Sequence, residues 1–253
     1  SQLGEEEGFD FDELLLQQVK KQPAHRSAKE VLAHELYFYD TQTPSLIGLK
    51  KEFIASARLD NLLSCFLACR ALVSCKNTHA SLLVCNDHEE VGSASSSGAQ
   101  GPFLKSVLER LSHCCGGEPD LLSRIVAKSS LISIDNAHGV HPNYLERHDD
   151  KHRPVLNAGP VIKLNANQRY ASNSHSVALF KSICDTVKVP HQSFVMRNDM
   201  ACGSTIGPIT SAETGINTID VGVPTFAMHS IRELAGSQDA YDLYKVINSF
   251  YSR

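Results

Sequence analysis

The chain has no surplus of positive charge: 24 Lys and Arg stand against 28 Asp and Glu among 253 residues, for a formal net charge of -4. Nucleic-acid binders carry a clustered basic surface, and none is found, so nucleic acid is not an expected partner. No run approaches the ~18 apolar residues of a membrane span. The start, Ser1-Gln2-Leu3-Gly4-Glu5-Glu6-Glu7, is acidic where a signal peptide is basic and then apolar, so a soluble, cytoplasmic protein without a membrane partner is expected. Cys-x-x-Cys units and zinc-finger spacings are also absent. Eight cysteines could pair into disulfides, but Cys65, Cys69, Cys75 and Cys85 fall in apolar runs, and the adjacent Cys114 and Cys115 precede Gly116-Gly117 in a loop. A chain this large does not need the staples of a small secreted domain, so reduced thiols are the expectation. There is no internal repeat and no low-complexity tract beyond Ser95-Ser96-Ser97.

What is present is a 42% hydrophobic content, enough for a substantial core, and a regular alternation. Segments 34–40, 80–85, 130–134, 160–164, 192–196 and 217–221 are short, apolar and bounded by Gly, Asn, Asp or Pro, as strands are. Helical periodicity runs from Asn61 to Ser74, Pro102 to Leu111, Ser174 to Val187 and Gln238 to Phe250. Alternating strands and helices predict an α/β fold whose mainly parallel sheet is sandwiched by helices. Ligands in such folds bind beyond the carboxyl ends of the strands.

The polar residues just after those strands, or opening the next helix, are Asp60, the Glu89-Glu90 pair, Asp135 and His229. Four separate segments thus bring carboxylates or imidazole to one sheet edge. Zinc accepts this mixture of Asp, Glu and His and keeps a position open for water in catalytic sites. Adjacent residues on a regular strand point to opposite faces, so Glu89 and Glu90 are better placed on the irregular loop that Gly92-Ser93 implies. There one can bind metal while the other serves as general base. Each feature alone has an ordinary explanation: a Glu-Glu in solvent, Asp60 as a helix cap, His229 as a structural histidine. Their shared position at strand ends favours a metal site.

The runs Arg58-Leu59-Asp60-Asn61, His88-Glu89-Glu90-Val91-Gly92-Ser93, Asp135-Asn136-Ala137-His138-Gly139-Val140-His141-Pro142, Gly159-Pro160-Val161-Ile162-Lys163, Gln168-Arg169-Tyr170-Ala171, Cys202-Gly203-Ser204-Thr205-Ile206-Gly207-Pro208 and Ala227-Met228-His229-Ser230-Ile231-Arg232-Glu233 resemble the motifs of the aspartyl aminopeptidase family, in order and with similar spacing. The resemblance covers residues 34 to 253. It implies a zinc-peptidase catalytic fold of the phosphorylase/hydrolase-like kind and a co-catalytic pair of zinc ions. Asp60 would bridge them, Glu90 and His229 would complete one site, Asp135 would ligate the other, and Glu89 would be the general base. It further implies peptide substrates with N-terminal Asp or Glu, and a homo-oligomer at full length. An acidic substrate side chain needs a partner when buried. Lys163 is the candidate, with His138 and His141 nearby, while Arg169, Tyr170, Gly203 and Ser204 shape substrate loops.

The chain departs from the family in one respect: a metal-binding His in a His-Thr-Asp-Ser-like segment ahead of the bridging Asp is not found. Residues 1–33 resemble only the last stretch of the inserted dimerisation domain, and 34–253 the C-terminal part of the catalytic domain. The expectation is a fold incomplete at its N-terminal side, with one ligand set complete and the Asp135 site short of its histidine. A two-metal deacylase and an inactive relative serving as an interaction subunit are the alternatives.

Overall fold

The computed structural model of the chain describes residues 9–76, 78–197 and 199–253; the acidic start lies outside them. The chain divides into two compact units, one ending at Thr41 and the other running from Gln42 to Arg253. The first holds helix α1 (Phe11–Lys20), whose start is fixed by the Asp10 carboxylate accepting the Glu13 N–H at 3.0 Å.

The second unit runs β1 (Ser45–Ile47), β2 (Phe53–Ser56), α2 (Leu59–Ser74), α3 (Phe103–Cys114), α4 (Leu121–Lys128), β3 (Ser130–Ile134), β4 (Ala137–His138), β5 (Val161–Leu164), α5 (Ser174–Val187), β6 (Gln192–Val195), α6 (Ile206–Thr214), β7 (Asn217–Gly222), β8 (Pro224–Phe226), β9 (Glu233–Gly236) and α7 (Ser237–Tyr251). Its strands form two sheets, ordered β1-β2-β9-β8-β4 and β3-β7-β5-β6. The α/β class with helix-flanked sheets is as expected, and strand directions are mixed. β3–β7, β4–β8 and β5–β6 are parallel, whereas β1–β2, β2–β9, β8–β9 and β5–β7 are antiparallel. Short connections such as that from β8 to β9 can only return the chain antiparallel, because a parallel crossover needs a dozen or more residues.

The core lies where α2, α5 and α7 meet the sheets. Leu67, Ala68 and Ala71 of α2, Phe180, Ile183 and Cys184 of α5, and Leu243, Val246 and Ile247 of α7 are all buried, at the three- and four-residue steps that put them on one helical stripe. Helix α5 starts at a full capping box: Asn173 Oδ1 accepts from Ser176 N, and Ser176 Oγ accepts from Asn173 N, each at 3.0 Å.

Strands are not formed at 34–40 or 80–85. An extended segment is held by ladder hydrogen bonds, and neither segment has a ladder partner among the described residues; Leu36, Tyr37, Phe38 and Tyr39 stand exposed. The thiols also differ from a uniformly apolar placement. Cys184 is buried, but Cys69, Cys85, Cys114 and Cys115 are exposed, and none of the eight is in a disulfide. No helix among the described residues is long and apolar enough to cross a membrane.

Helix α2 is apolar on both sides. Opposite its core stripe, Leu62, Phe66 and Val73 are 59%, 61% and 76% exposed. The two faces predict opposite responses. Phe180→Ala empties a site that is 1% exposed and should lower unfolding stability by about 3–5 kcal/mol. Phe66→Ser should stay within about 0.5 kcal/mol. Urea unfolding followed by circular dichroism measures both.

Candidate metal centre

Four turns converge at one end of the sheets. Asp60 follows β2 in extended conformation (φ -83°, ψ 112°) before α2 becomes regular. Glu89 and Glu90 sit on a 3-10 turn, Glu89–Val91, between left-handed His88 (φ 58°) and Gly92 (φ 99°). Asp135 follows β3, and His229 (φ 67°) lies in the loop from β8 to β9. The pair of glutamates is thus on an irregular turn, which lets adjacent side chains share one space. Five non-glycine residues of these turns have left-handed backbone: Arg58, His88, Ser93, Ala227 and His229. Such conformations are costly and cluster where geometry is imposed by function.

Asp60, Glu90 and His229 each offer a ligand atom, all within 4.8 Å of one another. His229 Nε2 lies 3.1 Å from Asp60 Oδ2 and 3.2 Å from Glu90 Oε2. The Asp60 Oδ1 caps no helix N–H: it is buried and finds no donor. The Asp60 carboxyl has a second carboxyl, Asp135, for a neighbour, and the two raise the proton affinity of the site. Two carboxylates, one of them with an orphaned buried oxygen, and an imidazole form a donor set suited to zinc. The Asp60 side chain is 4% exposed, whereas His229 and Glu90 are 61% and 55% exposed, so the trio has a buried wall and an open rim.

Charge crowding sets the ionisation. Burial, then Asp135, Glu90 and Glu233, pushes the Asp60 carboxyl from 3.8 up to about 8. Burial, Asp135 and Glu90 raise Glu89 as well, against a partial lowering by Lys163 and His229. His138 is pushed below the usual histidine range by burial and by Lys163, which keeps its ring neutral near pH 7.

Lys163, from β5, is buried and its Nζ lies 3.1 Å from Asp135 Oδ2 and 5.5 Å from the Tyr170 ring centroid. Tyr170 is buried; Arg169 and Ser204 are exposed, with Ser204 Oγ donating to the Arg169 carbonyl at 3.4 Å. Arg169 and Cys202 line a groove of about 590 Å³ that Lys163, His138 and the carboxylates do not line. Gly203 stands in open space. His141 packs against Tyr144 and Phe226 and accepts the Asn143 N–H at 3.2 Å.

Two buried carboxylates escaped the sequence reading as functional residues. Asp220 accepts from Ala171 N at 2.6 Å and Thr205 Oγ1 at 2.7 Å, joining the two substrate-loop motifs. A charged residue inside the apolar run 217–221 was the available signal. Glu233 accepts from Asp60 N at 2.8 Å and His229 N at 2.7 Å. Nothing in the local sequence marks it as buried. Glycine is required at two approaches: a Cβ on Gly222 would lie 1.8 Å from the Asp135 carbonyl oxygen, and one on Gly207 would lie 2.2 Å from Asp220 Oδ1.

A family model described as aminopeptidase I zinc metalloprotease (M18) matches residues 3–251. The chain is 54% identical to a probable M18 family aminopeptidase 2 of Ectopseudomonas mendocina over 252 residues, covering 100% of this chain and 58% of that protein. For the protein of the same name in Azotobacter vinelandii the identity is 56%, with 98% and 57% covered. Among solved structures, the yeast mApe1 dodecamer matches with a TM-score of 0.82 and 32% identity, covering 94% of this chain and 54% of that one. The chain therefore spans somewhat over half the length of the relatives it matches.

The Asp60 shift predicts a pH dependence whose sign follows from linkage. A carboxyl raised in the fold contributes stability that is complete below its unfolded value, near 3.8, and is lost as pH rises through about 8. The melting temperature of metal-free protein should fall over that window, and Asp60→Asn should flatten the fall. Differential scanning calorimetry of both proteins at matched pH checks this.

Proposed function

The chain belongs to the M18 aminopeptidase family, and on that footing we propose that it carries most of the active site of a zinc aminopeptidase that removes N-terminal Asp or Glu from peptides. The single observation that carries this is the convergence of Asp60, Glu90 and His229 within 4.8 Å beside Asp135 and Glu89. Asp60, Glu90 and His229 would hold one zinc; Asp60, as a bridging carboxylate, and Asp135 would hold a second. Zinc, when bound, polarises the scissile carbonyl and acidifies the attacking water.

The protein's own groups do the rest. Glu89, its carboxyl raised by burial and by Asp135 and Glu90, would take the proton from that water and return it to the departing amine. Neutral His138 offers a ring N–H to the oxygen that gains charge. Lys163 is the cation for the substrate's acidic side chain. Its ammonium lies 3.1 Å from Asp135 Oδ2, in a buried site where a substrate carboxylate would need a charged partner. Arg169, Tyr170, Gly203 and Ser204 would shape the substrate loops, on two segments that Asp220 ties together. His141, whose ring is tilted against Phe226, would assist at the same site.

Assembly into a homo-oligomer is supported by the dodecameric yeast relative. A cytoplasmic setting is supported by eight cysteines outside any disulfide. The second ion would be weakly held, since among the described residues only the Asp60 trio gathers three ligand atoms, and Asp135 has an ammonium for a partner. The polypeptide by itself should therefore show low or no peptidase activity.

Native mass spectrometry with a metal count, paired with amino-acid release from peptides beginning in Asp, Glu or Leu, tests this. One tightly bound zinc, lost in Asp60→Asn and His229→Ala, is expected, with any release confined to acidic residues. Glu89→Gln should lower that release by about 10²–10⁴-fold without changing the zinc count. Equal release of Leu would overturn the acidic specificity, and robust release by the chain alone would overturn its inactivity.

A further inference from the structure

Glu233 ties the two ligand-bearing turns to each other. It opens β9 and pairs with Ser56 of β2 in the antiparallel ladder. From that rung one chain leads on through Arg58 to Asp60, and the other leads back through Ser230 to His229. The carboxylate of Glu233 is 2% exposed and uses each oxygen once, Oε2 for the Asp60 N–H at 2.8 Å and Oε1 for the His229 N–H at 2.7 Å. Both acceptors are thereby committed to backbone, and Glu233 is outside the trio whose ligand atoms converge. It is not placed as a ligand itself.

The turns it holds have left-handed residues that an L-amino acid adopts reluctantly: Arg58 (φ 55°) in one, Ala227 (φ 54°) and His229 (φ 67°) in the other. Charge-assisted hydrogen bonds to backbone N–H are about twice as strong as neutral ones, which suits them to hold such turns. We propose that Glu233 is the positioning residue of the metal centre: by accepting the Asp60 and His229 amides on its two oxygens, it fixes the separation of those two ligands before any ion arrives. This rests on reading the trio as a zinc site.

The test uses the whole 253-residue chain as wild type, Glu233→Gln and Glu233→Asp, with Asp239→Asn as control. Asp239 is a buried carboxylate that likewise accepts two backbone amides, from Asn157 at 2.5 Å and Gly159 at 2.7 Å, away from the trio. Two quantities are read: zinc affinity by competition with a chromophoric chelator, and amide hydrogen exchange at Asp60 and His229 in metal-free protein. Glu233→Gln should weaken zinc by about 10–100-fold, the range for groups that orient metal ligands, and should speed exchange at both amides. Glu233→Asp keeps the charge with a shorter reach and should fall between. Asp239→Asn should lose stability and keep wild-type zinc affinity.

Unprotected Asp60 and His229 amides in wild type would remove the clamp and the proposal. Wild-type affinity in both Glu233 variants would overturn the proposal while leaving the zinc reading intact, and equal weakening in Asp239→Asn would reduce the effect to general destabilisation. No zinc uptake by wild type would overturn the zinc reading itself, and the inference with it.

Discussion

Like charges packed together are the constraint from which the rest of this structure follows. Asp60, Glu89, Glu90 and Asp135 share one space, and Glu233 adds its charge behind Asp60. Two such charges 4 Å apart repel by about 4 kcal/mol at an effective dielectric of 20, and water cannot relieve Asp60, whose side chain is 4% exposed. A fold can answer this by holding a proton, by supplying a cation or by accepting one. All three answers are visible: Asp60 is driven up to about 8, Lys163 sits on Asp135, and the trio presents converging lone pairs. A group of side chains that repels itself without an ion is a poor choice for stability and a good one for binding divalent metal.

Holding mutually repelling side chains in place demands a stiff backbone, and the chain spends strained conformations there. Left-handed Arg58, His88, Ser93, Ala227 and His229 flank the carboxylates and the imidazole, and Gly222 lets β7 come against the Asp135 carbonyl where any side chain would collide. Local strain persists only where surroundings over-determine it. Here the surroundings are the β2–β9 ladder, the packed helices α2 and α7, and hydrogen bonds such as Asn61 Nδ2 to the Ile134 carbonyl at 2.8 Å, which ties the Asp60 turn to the end of β3.

Much of this was legible in sequence, for identifiable reasons. Strands 130–134, 160–164, 192–196 and 217–221 are apolar runs that do pair, and α5 begins and ends where its periodicity does. Asp135 was legible because a charged residue directly after an apolar run is a local pattern, whereas Glu89 and Glu90 follow segment 80–85, which forms no strand. What was missed is not local. Helix α6 is disguised by Gly207 and Pro208 in its first turn, a position that tolerates proline. Strands β1, β2, β8 and β9 have only three or four residues each, too few for an alternation to declare itself. Segment 80–85 has the composition of a strand without, among the described residues, a neighbour that pairs with it. Lys163, from its residue type alone, reads as a solvated strand-end lysine, and only the fold shows it buried against Asp135.

Glu233, Asp220 and Asp239 reveal one device used three times. Each is a nearly fully buried carboxylate whose oxygens accept from two groups outside its own strand or helix: Asp60 and His229, Ala171 and Thr205, Asn157 and Gly159. A buried charge is unfavourable unless its lone pairs are filled, so each carboxylate ties its loops in one arrangement by making every other arrangement expensive. Asp239 shows the tension directly: burial lifts it to about 6 even though the Asn157 and Gly159 amides pull the other way. An apolar residue at any of these positions would fit the surrounding core and leave the loops free to choose among conformations. The chain places a charge instead, and the loops so fixed include those that carry Asp60, His229, Tyr170 and Ser204.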